Sequence, residues 1–178
     1  MNPATSRGAL CARAALLLIL MSTALQAQDG APPTPAQLAP PKGARLVLRA
    51  IGKGDQVYLC KLDGSRYSWT FKEPHAELFD EKGKRIGRHF AGPSWQLEDE
   101  SRVTGKVVAH ADAPAADAVP WLLLAAVDHS GAGLMDNVTD IQRLNTRGGK
   151  APANGCDAQH VGEESRVAYS ADYLFFSR

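Results

Sequence analysis

The heptapeptide RYSWTFK, residues 66–72, alternates large aromatic side chains with polar ones. Tyr67, Trp69 and Phe71 fall on one face of an extended chain, because successive side chains of a β-strand point to opposite sides. This two-residue period predicts a half-buried strand whose aromatic face belongs to the core. The same kind of alternation recurs on both sides of the heptapeptide, so the pattern indicates the fold class of the whole domain.

Turn signals join this strand to its neighbours. Asp63-Gly64 separates it from the apolar run 57–62, and Asp-Gly between two such runs is a strong hairpin signal because both turn positions need positive φ. We interpret Gly52-Lys53-Gly54-Asp55 as a second hairpin turn, between strands 46–51 and 57–62. A third hairpin is predicted around the turn at residues 80–83.

The C-terminal half continues the strand pattern. Further strands are predicted at residues 102–110, 121–127, 138–144 and 167–176. Residues 121–127 are apolar at every position, which favours a strand covered on both faces. No long segment has a helical period. The sequence therefore predicts a single all-β domain over residues 43–178, either an antiparallel β-sandwich or a closed barrel.

The N-terminal region has the pattern of an export signal. Arg7 and Arg13 precede an uncharged apolar run of about a dozen residues, whereas a membrane-spanning helix needs roughly 20. We therefore expect a cleavable signal peptide over residues 1–27, no transmembrane anchor after processing, and a periplasmic or extracellular location. The Pro-rich segment 28–42 is interpreted as a flexible, solvated spacer.

Two cysteines remain once the signal peptide is removed, because Cys11 leaves with it. In an exported protein disulfides form and persist, so we expect Cys60 and Cys156 to pair. The alternative is a reactive thiol. Neither cysteine belongs to a Cys-x-x-Cys or Cys/His cluster, which disfavours that reading.

Charge balance and motif content exclude several classes of function. The chain has 20 basic and 19 acidic residues and a formal net charge of +1, so it lacks the basic surface that nucleic-acid binding requires. The five histidines have no His-x-His or His-Glu-x-x-His spacing, and we expect no metal site. There is no Gly-x-Gly-x-x-Gly fingerprint, so no nucleotide cofactor is expected.

An ordered set of short motifs runs along residues 43–176. Its members are Cys60, Trp69-Thr70-Phe71, Pro74, Gly83, Gly87, His89, Gly92-Pro93-Ser94-Trp95, Pro120-Trp121-Leu122-Leu123, Ile141-Gln142-Arg143, Gly148-Gly149, Ala151-Pro152, Cys156 and Tyr169-x-Ala171-x-Tyr173. This set resembles the family of exported bacterial and fungal proteins known as DUF3455, a domain of unknown function. The resemblance implies an exported domain without an established activity. One departure is Asp99-Glu100-Ser101, where the family has an Asp-Gly-Ser turn.

Three side chains are the candidate ligand-binding residues. His89 lies between glycine-rich turns where backbone can approach closely, and Trp95 offers a flat apolar face that we expect at the surface. Arg143 belongs to the polar segment 142–149, which gathers amides, guanidinium groups and a glycine pair and could form a loop whose backbone N–H groups receive an anion. The structural alternative is that His89 holds a neighbouring loop through a hydrogen bond and that residues 142–149 are a polar strand end.

Two functions of different class are compatible with this set. We favour a non-enzymatic binding or envelope-associated module that takes an unknown small molecule or an envelope protein, because no catalytic constellation is apparent. The alternative is a small-ligand hydrolase or isomerase with His89 as general base. Its carboxylate partner would be Asp128, Asp99 or Glu98. A third reading assigns all of these residues to stability alone.

Overall fold

Antiparallel strands account for most of the chain between Arg45 and Ser177. The computed structural model describes Met1 and residues 33–178, so the predicted signal peptide lies, apart from Met1, outside the described residues. The strands are β1 (Arg45–Asp63), β2 (Arg66–Phe79), β3 (Arg85–Phe90), β4 (Ser94–Leu97), β5 (Arg102–Ala111), β6 (Trp121–Ser130), β7 (Asp140–Gly148) and β8 (Glu164–Ser177). Two short 3-10 segments accompany them. We call Ala36–Leu38 the N-terminal turn and Leu134–Asn137 the plug turn.

Each strand pairs with the next along the chain, and β1 also pairs with β8, so the sheet closes into a barrel. The all-β prediction is confirmed, and of the two architectures left open the structure adopts the barrel. An eight-stranded barrel has an interior just wide enough to be filled by side chains or to hold one small ligand. Its interior core includes Leu78, Val103, Ile141 and Phe175, each fully buried.

The predicted hairpin turn at Gly52-Lys53-Gly54-Asp55 is wrong, because these residues lie inside the continuous strand β1. A Cβ atom on Gly52 would come within 2.6 Å of a ring carbon of Tyr173, and one on Gly54 within 2.2 Å of the His75 carbonyl oxygen. The two glycines therefore provide room for close packing in the barrel wall. Their partners are distant in sequence, so the local pattern was read as a turn.

The alternation in residues 66–72 does mark a strand, but its aromatic face is not core. Phe71 is 51% exposed. Trp69 is half-buried, and its indole N–H donates to the Asn154 carbonyl at 2.9 Å. Beyond Cys60, whose backbone still bonds Gly162 and Glu163, β1 continues in its pairing with β2, so the end of the hairpin projects past the barrel. The connection between β7 and β8 reaches this hairpin at Trp69.

The plug turn packs at one end of the barrel interior. Met135 is fully buried there, and its backbone N–H donates to the Ser101 hydroxyl at 3.2 Å. The Asp99 carboxylate accepts hydrogen bonds from the Ser101 hydroxyl and from the Leu134 backbone N–H. Glu100 between them has a φ of 66°, in the left-handed region that favours glycine. The turn at residues 99–101 thus anchors the plug turn, with a non-glycine residue at its strained position.

The N-terminal turn covers the outer face of the barrel wall. Leu38 has no exposed surface and packs against Trp121, Leu123 and Leu144. Its carbonyl accepts a hydrogen bond from the Gln142 side chain. Within the described part of the predicted spacer, residues 33–42, these contacts fix Leu38 against the barrel by burying its apolar side chain, whereas a flexible segment was expected. They also explain the wholly apolar start of β6, whose Leu124 faces the interior core while Leu123 lies under this turn.

We expect Leu38→Ala to lower the free energy of unfolding by about 1–2 kcal/mol, measured by urea denaturation. The loss should be below that of a typical core cavity, because a terminal segment can detach instead of leaving a void. Leu46→Ala is the matched control, since Leu46 is 48% exposed. An equal effect of the two substitutions would contradict the docking of the N-terminal turn.

Candidate functional site

A cavity of about 490 Å³ opens at one end of the barrel. All eight strands contribute to its lining, as do Gly92 and Pro93 before β4 and Pro120 before β6. We call this end the mouth. The plug turn belongs to the connection between β6 and β7, which runs at the opposite end. Small-molecule sites in proteins are concave and have volumes of about 300–1,000 Å³, so the cavity is of ligand size.

Stacked aromatic rings form one wall of the cavity. The His89 and Trp95 rings are nearly parallel, with centroids 4.4 Å apart. The Tyr173 ring meets both edge-on, at 5.1 Å from His89 and 5.5 Å from Trp95. Trp95 is only 1% exposed, so the expectation of a surface platform is wrong. Gly105 makes room for the indole, because a Cβ atom there would lie 3.1 Å from it.

His89 is a neutral, buried imidazole. Its Nδ1 lies 2.9 Å from the Ser94 carbonyl oxygen, and since a carbonyl can only accept, Nδ1 carries the proton. Burial lowers the pKa of His89 to about 3, the hydrogen bond to Ser94 opposes this shift, and the Arg143 charge adds to it. A group with so low a pKa is a weak base at neutral pH. The bond to Ser94 matches the loop-holding role considered for this histidine.

Arg143 supplies the positive charge in the cavity wall. Its Nε and Nη2 donate to the Pro120 carbonyl at 3.1 and 2.8 Å, and the Tyr173 hydroxyl also lies within hydrogen-bond reach. Burial raises the pKa values of Tyr58 and Tyr173, and the Arg143 charge opposes the shift in both. Among residues 33–178, no carboxylate forms an ion pair with Arg143 and none lines the cavity. The guanidinium therefore has no anionic partner among these residues.

The sequence model of a family described as "Protein of unknown function (DUF3455)" matches residues 40–177, most of the chain. The chain belongs to DUF3455. This confirms the resemblance carried by the ordered motifs. No curated protein and no solved structure matches the chain.

In the DUF3455 domain the three candidate residues His89, Trp95 and Arg143 all line the one cavity. The carboxylates considered as partners for His89 lie elsewhere. Asp99 is engaged at the plug turn and Glu98 pairs with Arg85, 3.2 Å away. Asp128 lies 3.9 Å from Arg102. The structure therefore does not form the histidine–carboxylate pair that the enzymatic alternative requires.

Several lining residues of the DUF3455 cavity were missed in the sequence. Gln56 is 2% exposed and lines the cavity. Tyr58 donates its hydroxyl proton to the Gly149 carbonyl at 2.6 Å. Val119 lies between the predicted strands at residues 102–110 and 121–127, where no element was predicted, yet it is buried and lines the cavity. Gln56 and Tyr58 were missed because the wrongly predicted hairpin turn at residues 52–55 separated them from the rest of β1.

Beside the mouth, Cys60 and Cys156 form the expected disulfide, with Cα atoms 5.3 Å apart. It ties the connection between β7 and β8 to the projecting end of β1. Within residues 33–178 no helix is long and apolar enough to cross a membrane. Both observations are compatible with an exported protein.

The segment 142–149 is the end of β7, and Arg143 is the residue of it that reaches the cavity lining.

Proposed function

We propose that the DUF3455 domain is a non-enzymatic binding module that holds one small organic molecule inside the barrel mouth. The observation that carries this proposal is the cavity of about 490 Å³, to which every strand contributes. Its lining is mostly apolar and aromatic with a few polar groups, which is the usual composition of a small-molecule site. The enzymatic alternative gains no support, because His89 is a weak base without a carboxylate partner.

Exposed apolar side chains at the mouth support the same reading. Phe71 is 51% exposed and Val107 is 45% exposed, and both line the cavity. The Phe71 ring packs edge-on against Tyr58, with centroids 5.7 Å apart. Apolar groups exposed together at a cavity opening mark a surface that another molecule covers. We therefore place the ligand's path past Phe71 and Val107.

We expect the neutral fluorescent probe N-phenylnaphthylamine to bind the wild-type protein with enhanced emission, because the cavity shields it from water. Val107→Trp should weaken its affinity by at least about tenfold by filling the mouth. Val108→Trp is the matched control, since Val108 is the next residue, is 58% exposed and does not line the cavity. A fluorescence titration of the three proteins is the measurement. Failure of the wild type to bind, or equal binding by both variants, would overturn the proposal.

A further inference from the structure

We infer that the ligand carries an anionic group, a carboxylate or a sulfonate, and that Arg143 holds it inside the barrel. This inference rests on the proposed function and adds the chemical class of the ligand. It places the anion beside β7 and Pro120, and the apolar body of the ligand against the aromatic wall of the cavity.

The first support is the position of Arg143. Alternate residues of β7 face the interior, and Arg143 follows the fully buried Ile141 at that spacing. Arg143 is partly buried, and a charge partly withdrawn from water is less favourable unless it is paired. Its polar neighbours among the described residues, the Pro120 carbonyl and the Tyr173 hydroxyl, are both neutral. An anionic ligand would supply the charge partner that the protein does not.

The second support is the contrast with Lys72, the other basic side chain that lines the cavity. Lys72 is exposed and forms ion pairs with Glu164 and Glu73, so its charge is neutralised by the protein itself. The cavity therefore has a net positive charge that comes from Arg143. A cationic ligand would be repelled there, and a neutral one would leave the guanidinium unpaired.

The guanidinium is also oriented for an anionic group. Pro120 occupies the side formed by Nε and Nη2, so the terminal fork of Nη1 and Nη2 is turned away from that carbonyl. A carboxylate can accept two parallel N–H bonds from that fork, and paired bonds of this kind are stronger than a single neutral hydrogen bond. Lysine cannot reproduce this geometry, because its ammonium is a single point charge.

Two probes that share one aromatic body test the inference on the intact protein. N-phenylnaphthylamine is neutral, and anilinonaphthalene sulfonate adds an anionic group to the same rings. We expect Arg143→Gln to weaken sulfonate binding by at least about tenfold and to leave binding of the neutral probe within about twofold. Lys106→Gln is the charge-matched control, since Lys106 is exposed and lies outside the cavity lining, and it should change neither affinity.

A wild-type measurement keeps the test independent of the folding of the variant. Benzoate should displace the neutral probe at a concentration at least about tenfold lower than benzyl alcohol, which has the same ring without the charge. Equal displacement by the two compounds, or equal loss of both fluorescent probes in Arg143→Gln, would overturn the anionic ligand while the binding function stands. Absence of neutral-probe binding to the wild type would instead overturn the proposed function.

Discussion

Replacing both Cys60 and Cys156 by serine is expected to lower the free energy of unfolding by about 3–5 kcal/mol. The bridge joins residues 96 apart in sequence, so it removes a large amount of conformational freedom from the unfolded chain. Domains of this size are stable by only about 5–15 kcal/mol, which makes the expected loss a major part of the total. Urea denaturation of the wild type and the double variant measures it.

A reducing agent provides the control for this prediction. It should lower the stability of the wild type to that of the double variant and leave the double variant unchanged. The bridge should also stabilise the mouth, because Tyr58 lies two residues from Cys60 and its hydroxyl donates to the Gly149 carbonyl. A stability loss below about 1 kcal/mol would show that the bridge contributes little beyond the strand pairing around it.

Acidification is expected to destabilise the folded protein through His89. The pKa of His89 is lowered to about 3 by burial, whereas an unfolded histidine has a pKa near 6.5, so the unfolded state takes up the proton first. The stability contribution is fully present above that higher value and is lost as the pH falls toward about 3. The loss should be about 2 kcal/mol at about pH 5 and about 3 kcal/mol at about pH 4.

The substitution His89→Gln isolates this effect, because a glutamine amide can still donate to Ser94 but does not titrate in this range. Its unfolding free energy should fall less steeply between about pH 7 and about pH 5 than that of the wild type. His160, whose pKa is raised by its hydrogen bond to Asp157, acts with the opposite sign in both proteins and cancels in the comparison. Parallel pH profiles would contradict the assignment.

The strands could be predicted from the sequence because alternation is a local property, but closure of the barrel could not. Closure depends on the pairing of β1 with β8, which joins segments more than a hundred residues apart. Gly52 and Gly54 were misread for the same reason, since their role is set by Tyr173 and His75. The exposure of Phe71 depends on where the hairpin leaves the barrel, and no periodicity encodes that position.

The candidate site was predicted in part. His89 and Trp95 stood out because they lie in or beside a glycine-rich turn, and Arg143 because it lies in a polar segment with a glycine pair; the three do line one cavity. Their role in binding remains a prediction. Gln56 and Val119 carried no such signal, because a buried glutamine and a valine look like ordinary strand and linker residues until the barrel closes around them.

The plug turn fills the end of the barrel opposite the mouth with the buried Met135 side chain. Under the proposed function, a molecule held in the cavity would leave by the mouth through which it entered, so the domain would serve as a container and not as a conduit. Phe71 and Val107 would then govern access to the cavity, and Arg143 would govern the preference for an anionic ligand. Access and charge selectivity would depend on different residues.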